Sequence, residues 1–245
     1  MTTNGLASQQ LHLALFFTRR TSLQTWRSTG MLDRELAIYR QLVQKGAKVT
    51  LFTYGKQQES ELAASLPEFQ VCYNRFGLNR RVYEHLLPVI HRSVLRSVTV
   101  VKTNQINGAH VAVRCSRQFG IPLVARCGYM WSEFERRQHG AESRQAVEAR
   151  QVEKLAFQDA DRCVVTTDSM RQSIIERFPH LAQRIEKIPN YVDTRLFSPQ
   201  ETARDFDLIY IGRLDAPQKN VRALLQALAP LDLRVLIIGQ GPETT

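Results

Sequence analysis

Residues 207–242, DLIYIGRLDAPQKNVRALLQALAPLDLRVLIIGQGP, contain two apolar runs separated by a segment with helical periodicity. The run DLIYIGRL predicts a strand, NVRALLQALAPL a helix, and LRVLIIGQGP a second strand. Two such strands joined by a helix form a βαβ unit, in which the strands are parallel. The segment therefore predicts the beginning of an α/β domain.

The segment before it lacks any sustained period. RIEKIPNYVDTRLFSPQETARDF, residues 184–206, contains two prolines and neither a helical nor a strand pattern. Proline and glycine are the residues that most strongly interrupt helices and strands, so we predict a linker around residues 189–205. This divides the chain into a first domain of residues 1–198 and the beginning of a second domain at residues 199–245.

The first domain repeats the same alternation. Apolar runs predict strands at residues 11–17, 47–55, 69–73, 98–104, 121–128 and 161–167. Helical periods lie between them, at residues 31–46 and near 80–97, 108–119, 141–159 and 168–178, with Gly46 at a left-handed cap position. Continuously apolar strands separated by amphipathic helices are typical of a parallel sheet covered on both faces. The predicted class is α/β, Rossmann-like and doubly wound.

The strand and helix that open the second domain place a glycine and two cations where a ligand binds in such folds. Ligands of open α/β sheets lie beyond the carboxyl ends of the strands. Gly212 ends a predicted strand, Arg213 follows it, and Lys219 precedes a helix that Asn220 is positioned to cap. Two cations beside a helix amino end are suited to bind an anionic group.

At these positions the sequence resembles the family 4 glycosyltransferases, which have the GT-B fold. IPNYVDTRLFSP resembles the family's hinge, with Tyr191 where glycine is commoner, and GR, KN and IIGQGP follow at the family's spacing. The resemblance implies retaining transfer of a hexose from a nucleotide diphosphate sugar to a polysaccharide or lipid-linked acceptor. It also implies that Arg213 and Lys219 contact the diphosphate, beside Gly212, and that neither a cofactor nor a metal takes part.

In the first domain the resemblance is partial. The family has a glycine-containing loop after the first strand, and Gly30 occupies that place without the usual second glycine. GIPLVARCGYMWSEF, residues 120–134, aligns with a family segment whose histidine is replaced here by Cys127. The neighbouring pocket candidates are Arg126, Gly128, Tyr129, Trp131 and Glu133. A turn glycine and ordinary loop packing explain these features equally well, so no catalytic residue is assigned.

The chain is basic, with 33 Lys and Arg against 23 Asp and Glu. Such a balance attracts polyanions, but no nucleic-acid-binding motif is present. Residues 75–97 carry five arginines against Glu84 alone, on an amphipathic pattern interrupted by Pro88. The pattern is that of a helix at an anionic membrane surface, or of a covering helix with an arginine-rich solvent face.

The remaining features concern compartment and completeness. Four widely spaced cysteines predict buried thiols. Since no signal-peptide pattern is present, we expect a cytoplasmic protein, which would be peripheral to the inner face of the membrane if the basic helix binds lipid.

The family's Glu-x7-Glu pair has no counterpart, so we expect residues 1–245 to transfer sugar poorly. The alternative is a non-catalytic binding or membrane-surface module. A dinucleotide enzyme is disfavoured because TRRTSLQTWRSTG, residues 18–30, holds one glycine.

Overall fold

The computed structural model describes residues 10–215 and 219–244. The chain divides into two compact units between Asn190 and Tyr191. The predicted linker, residues 189–205, includes this division. The first unit holds a large sheet covered by helices, and the second holds a smaller strand–helix–strand arrangement.

The first unit is built on a seven-stranded sheet in which every pair of neighbouring strands is parallel. The strand order is β3-β2-β1-β4-β5-β6-β7. The strands are β1 His12–Phe16, β2 Lys48–Phe52, β3 Gln70–Cys72, β4 Val100–Thr103, β5 Leu123–Cys127, β6 Arg162–Val165 and β7 Ile185–Lys187. The six strands predicted from apolar runs are all present. The edge strand β7 was not predicted, because only Ile185 of its three residues is apolar and buried.

Helices and one short 3-10 turn, Pro179–Leu181, connect these strands. The helices are α1 Leu23–Ser28, α2 Leu32–Gln44, α3 Glu59–Ala64, α4 Arg80–Ile90, α5 Arg92–Leu95, α6 Ala109–Phe119, α7 Trp131–His139, α8 Arg144–Asp159 and α9 Asp168–Arg177. As predicted, α2 ends just before Gly46, whose φ is +89°.

Two separate cores lie on the two faces of this sheet. On one face Leu13 and Leu15 of β1 pack in a cluster with Leu36 and Tyr39 of α2. On the other face the alternate residues of β1 belong to a larger cluster that includes the buried side chains of α6, α8 and α9. Both faces are therefore covered, which confirms the doubly wound α/β class. The four cysteines are buried free thiols, also as predicted.

The segment between β1 and α2 contains the short helix α1, which was not predicted. Ser22 accepts a hydrogen bond from the Thr25 amide, and the Thr25 side chain accepts one from the Ser22 amide, which together form a capping box. The carboxylate of Glu59 accepts from the Leu23 amide at the same end. Leu23 and Trp26 are buried, and the Trp26 ring stacks on Phe17 with centroids 4.0 Å apart. Burial of these two side chains stabilises a helix too short to persist alone.

The basic segment near residues 80–97 forms two helices rather than one. Pro88 lies inside α4, and the break comes at His91, between α4 and α5. A proline cannot donate to the carbonyl four residues earlier, so the carbonyl oxygen of Glu84 loses its partner within the helix. The Arg114 guanidinium of α6 donates to that oxygen instead. This side-chain bond lets α4 continue past the proline.

The second unit contains the predicted βαβ arrangement. Strands β8 Leu208–Ile211 and β9 Val235–Ile238 are parallel neighbours, and helix α10 Val221–Leu228 lies between them in sequence. Asn220 precedes α10 with φ at +47°, and its side chain makes no capping hydrogen bond, so the predicted Asn220 cap is absent. Among the described residues of the whole chain, no helix combines the length and the apolar character needed to cross a membrane.

Candidate functional site

The order of strands in the first unit creates a switch point between β1 and β4. From β1 the chain continues to β2 and β3 on one side, and then returns to β4 on the other side. The connections that leave the carboxyl ends of β1 and β4 therefore run to opposite faces of the sheet, and at such a switch point open α/β sheets usually form their ligand crevice. The loops that begin at Phe17 and Asn104 form its two sides.

These two loops approach each other closely. The Arg19 amide donates to the Asn107 carbonyl oxygen over 3.0 Å, and Asn104 Nδ2 donates to Thr18 Oγ1 over 3.3 Å. Gly108 has a φ of +97°, and a β-carbon there would lie 3.0 Å from the Arg19 backbone nitrogen. Only glycine combines this backbone conformation with so close a neighbour. Gly108 therefore permits the contact between the two sides of the crevice.

Arg19 is the centre of an ion-pair cluster beside this crevice. Its guanidinium binds Glu84 of α4 through two hydrogen bonds, of 2.7 and 3.0 Å, and also binds Glu148 of α8. His110 Nε2 lies 3.5 Å from Glu84 Oε2. Burial alone would raise the pKa of Glu84, but hydrogen bonds from His110 and Arg19 outweigh it and lower that pKa to about 2. The cluster links the loop after β1 to three helices.

Among the pocket candidates of the first unit, Arg126 and Gly128 contact the loop after β4, whereas Cys127 lies in the core. Arg126 donates to the Asn104 carbonyl oxygen and to Asn190 Oδ1, each over 3.0 Å, and the Gly128 amide donates to Gln105 Oε1 over 2.9 Å. Cys127 is instead fully buried in the core, and its thiol contacts the carbonyl oxygen of Tyr129. Burial raises the pKa of this thiol. The structure thus places Cys127 away from the surface that Arg126 and Gly128 reach.

The other candidates lie farther along the chain. Tyr129 is exposed and packs edge-on against Phe134 of α7. Trp131, in contrast, is buried. Glu133 on the exposed face of α7 accepts hydrogen bonds from Arg136 and Arg137, which lower its pKa to about 2. The contacts of Glu133 therefore lie within one helix, α7.

Gly30 does not lie in the loop that directly follows β1. It adopts a φ of +68° after α1, with no neighbour that a β-carbon would touch. The resemblance places a glycine-containing loop after the first strand, whereas α1 lies between β1 and Gly30 because its capping box and buried side chains stabilise it. The loop that follows β1 instead begins with Phe17, Thr18, Arg19 and Arg20, none of which was predicted as a site residue.

In the second unit, the two glycines that follow β8 and β9 let the strand ends approach each other. The Gly212 amide donates to the Ile238 carbonyl oxygen over 3.0 Å. A β-carbon at Gly239 would overlap the carbonyl oxygen of Gly212. The Tyr210 side chain covers part of this edge, because its hydroxyl donates to the Arg213 carbonyl oxygen over 3.0 Å and would lie 3.0 Å from a β-carbon at Gly212.

Asp215 contacts both residues that were predicted as cations at this edge. One oxygen of its buried carboxylate accepts from the Arg213 guanidinium, and the other accepts from the backbone amide of Lys219 over 3.1 Å. The Arg213 side chain remains 61% exposed, and Lys219 is exposed as well. The structure thus holds Arg213 and the Lys219 backbone on one carboxylate. Asp215 was not predicted as a site residue, although it lies two residues after Arg213 in the sequence.

Solved structures with the GT-B fold resemble the whole chain. Sucrose-phosphate synthase from Thermosynechococcus elongatus gives a TM-score of 0.68 at 16% identity, over 96% of this chain and 64% of that chain. HepE from Anabaena, in complex with UDP and glucose, gives 0.56 at 16% identity, over 94% and 70%. The lipopolysaccharide outer core galactosyltransferase WaaB gives 0.56 at 16% identity, over 95% and 62%. The fold is therefore of the GT-B class.

The family to which the chain belongs follows from its sequence. The model of Glycosyltransferase Family 4 matches residues 36–196, so the chain belongs to this family. No curated protein sequence gives a significant match. The chain spans 64% of the length of the sucrose-phosphate synthase that it resembles.

Proposed function

We propose that this protein is a glycosyltransferase that moves a hexose from a nucleotide diphosphate sugar to a polysaccharide or lipid-linked acceptor. The observation that carries the proposal is the arrangement of Arg213, Asp215 and Lys219 at the carboxyl end of β8. Membership of Glycosyltransferase Family 4 supports the same class of reaction. Retention of the anomeric configuration and the type of acceptor are what the family resemblance implies.

The proposed chemistry is stabilisation of the leaving nucleoside diphosphate. As the bond to the sugar breaks, negative charge accumulates on the diphosphate, and fixed cations lower the energy of that state. Arg213 presents a planar guanidinium that matches two phosphate oxygens, while Lys219 contributes a point charge. The carboxylate of Asp215 reduces the local charge, but it also restricts Arg213 and fixes the Lys219 backbone. Pre-organised donors lose less entropy when they bind.

Calorimetry with nucleoside diphosphates tests this assignment. We expect the chain to bind one of UDP, GDP and ADP, and Arg213→Ala to weaken that binding about tenfold or more, because a charge-assisted contact is lost. Arg222→Ala is the matched control, since Arg222 is an exposed arginine of the same unit that pairs with Glu243. An unchanged affinity in Arg213→Ala, or an equal loss in both variants, would contradict the assignment.

We further propose that residues 1–245 alone catalyse the transfer of the hexose slowly. Among the described residues of the second unit, the sheet has two strands, and Ile209, Ile211 and Ile238 on them are exposed. A two-stranded sheet with exposed apolar side chains holds a binding edge less firmly than a larger, covered sheet. A radiolabelled-sugar assay measures this directly, and robust turnover by the purified chain would refute it.

A second candidate function is contact with an anionic membrane, with or without catalysis. Residues 75–97, which include α4 and α5 and are called here the α4–α5 surface, carry exposed Phe76, Val82 and Val89, the first 59% and the last 65% exposed. The same residues include exposed arginines at positions 75, 81, 92 and 96. Glu84, the sole acidic residue of this segment, is buried against Arg19, so it does not offset the positive charge of the surface. Apolar and basic side chains together are what an anionic lipid surface attracts.

Flotation with liposomes tests this candidate. We expect the chain to float with vesicles of phosphatidylglycerol and phosphatidylcholine at low salt, and less so at high salt, because ions screen exposed charges. The double variant Arg92→Glu, Arg96→Glu should reduce flotation, whereas Arg144→Glu and Arg150→Glu on α8 should not. Equal flotation of all three proteins would count against a role for this surface.

A further inference from the structure

Two cations of the first unit lie beside each other on one face of the sheet. Lys102 of β4 pairs in register with Val124 of β5, and Arg126 follows Val124 by two residues. Paired residues of adjacent strands, and residues two apart along one strand, lie on the same face. Lys102 and Arg126 are therefore diagonal neighbours near the carboxyl ends of their strands.

Neither cation is bound to a carboxylate in the part of the chain that the structure describes. Lys102 Nζ donates to Tyr39 Oη of α2 over 2.9 Å, and to the carbonyl oxygen of the next residue over 3.4 Å. Arg126 donates to the Asn104 carbonyl oxygen and to Asn190 Oδ1. All of these acceptors are neutral, so no bound anion offsets the repulsion between the two positive charges.

The environment of Lys102 favours the neutral amine. Burial, with a smaller contribution from Arg126, lowers the pKa of Lys102 from 10.5 to about 7. Glu35 of α2 opposes this shift, but its carboxylate is paired with Arg34 over 2.7 Å. A large share of the Lys102 side chain is therefore uncharged at neutral pH. A lysine amine that is made neutral by burial and by a neighbouring cation is a nucleophile.

The surroundings of this amine favour a small electrophile. Lys102 is half-buried, and its Nζ is bound to the Tyr39 hydroxyl between the sheet and α2. Carbon dioxide is small and needs no leaving group, so it can reach an amine that a bulky acylating reagent cannot. The product carries a carboxylate-like group, which a guanidinium matches with two parallel hydrogen bonds. Arg126 is the guanidinium beside this amine.

We propose that Lys102 is a site of reversible carbamate formation with carbon dioxide, and that Arg126 binds the carbamate. The lone pair of Nζ forms a bond to the carbon, one pair of π electrons moves onto an oxygen, and a proton leaves the nitrogen for water. The site changes from a cation to an anion, so the repulsion between two cations is replaced by an ion pair. This modification is independent of the proposed glycosyl transfer.

Chemical trapping tests the site. Triethyloxonium converts carbamates into stable ethyl esters, which peptide mass spectrometry locates in the sequence. In the chain equilibrated with carbon dioxide near neutral pH, we expect about tenfold more label at Lys102 than at Lys154, an exposed lysine of α8, because an exposed ammonium stays protonated. The label should disappear when carbon dioxide is removed before trapping. Equal labelling of the two lysines would overturn the proposal.

Substitution of Arg126 tests the ion pair. We expect Arg126→Gln to lower the label at Lys102 about threefold or more, because the substitution raises the pKa of the amine and removes the partner of the carbamate. Arg144→Gln, at an exposed arginine of α8, is the matched control and should leave the label unchanged. Circular dichroism checks the folding of both variants. An unchanged label in folded Arg126→Gln would overturn the role of Arg126. If that variant does not fold, the comparison of Lys102 with Lys154 in the unsubstituted chain decides.

Discussion

Asp215 shows how a single residue organises the proposed diphosphate site. Its two carboxylate oxygens contact the Arg213 guanidinium and the Lys219 amide. Two opposite effects follow from this position. The negative charge of Asp215 repels a diphosphate, whereas its hydrogen bonds fix the groups that attract one. Because the carboxylate is buried and already compensated by Arg213, we expect the positioning effect to dominate.

Replacement of Asp215 decides between these effects. We expect Asp215→Ala to lower the affinity for the bound nucleoside diphosphate about fivefold, although the substitution makes the site more positive. Asp215→Asn keeps an oxygen for the Lys219 amide and should lose less. The measurement is calorimetry, with circular dichroism as the check on folding. A tighter complex in folded Asp215→Ala would show that the residue acts by its charge alone.

The helix α4 illustrates how one element depends on another. Pro88 removes the donor for the Glu84 carbonyl oxygen, and Arg114 of α6 replaces it. A buried carbonyl oxygen without a partner costs about 1–3 kcal/mol. The contact therefore ties α4 to α6, the helix that begins at the crevice.

A double-mutant cycle tests this link between the elements. We expect Arg114→Met to reduce the free energy of unfolding by about 1–3 kcal/mol in the native background. In the Pro88→Ala background the amide of residue 88 can donate to the Glu84 carbonyl oxygen, so the cost of Arg114→Met should be smaller. Urea denaturation of the four proteins measures the coupling. Strictly additive effects would mean that Arg114 does not replace the proline's missing donor.

The strands that the sequence predicted are those that form apolar runs. The apolar runs of β1, β2, β5 and β6 predicted strands because parallel strands are covered on both faces. Helices α1, α3 and α7 were missed, because α1 and α3 are too short to show a period and α7 is largely polar. The contacts of Glu59 with α1 and of Arg19 with α4 join distant parts of the sequence. Such tertiary contacts have no local pattern to reveal them.

The candidate site was predictable only in part. Gly212, Arg213 and Lys219 were predicted from their place between a strand and a helix, and their role in binding a diphosphate stays a prediction. Asp215 was not predicted, since a carboxylate beside two cations in a sequence suggests only a surface ion pair, and its contact with the Lys219 amide is visible only in the structure.

At the scale of the whole molecule, buried histidines make stability depend on pH. His91 lies between α4 and α5, with Nε2 3.3 Å from Tyr83 Oη and its ring against Phe52. Burial, with a smaller contribution from Arg75, lowers the pKa of His91 from 6.5 to about 4. The unfolded chain therefore binds a proton at His91 between these two values while the folded chain does not. Stability is lost as the pH falls through this window.

Chemical denaturation between pH 7 and 4 measures this loss. We expect His91 to account for up to about 3 kcal/mol of the decrease in the free energy of unfolding. His91→Gln should flatten the dependence on pH, whereas His85→Gln, at an exposed histidine of the same helix, should leave it unchanged. If both variants follow the pH profile of the unsubstituted chain, His91 is not the residue that titrates on unfolding.

Hydrogen–deuterium exchange with and without a nucleoside diphosphate tests whether the carboxyl end of β8 binds the diphosphate. We expect UDP, or whichever of GDP and ADP binds, to slow exchange of the Gly212, Arg213 and Lys219 amides, and the corresponding nucleoside to leave their exchange unchanged. Protection by the nucleoside alone, or nucleotide binding that leaves these three amides unprotected, would show that the diphosphate does not bind at this edge.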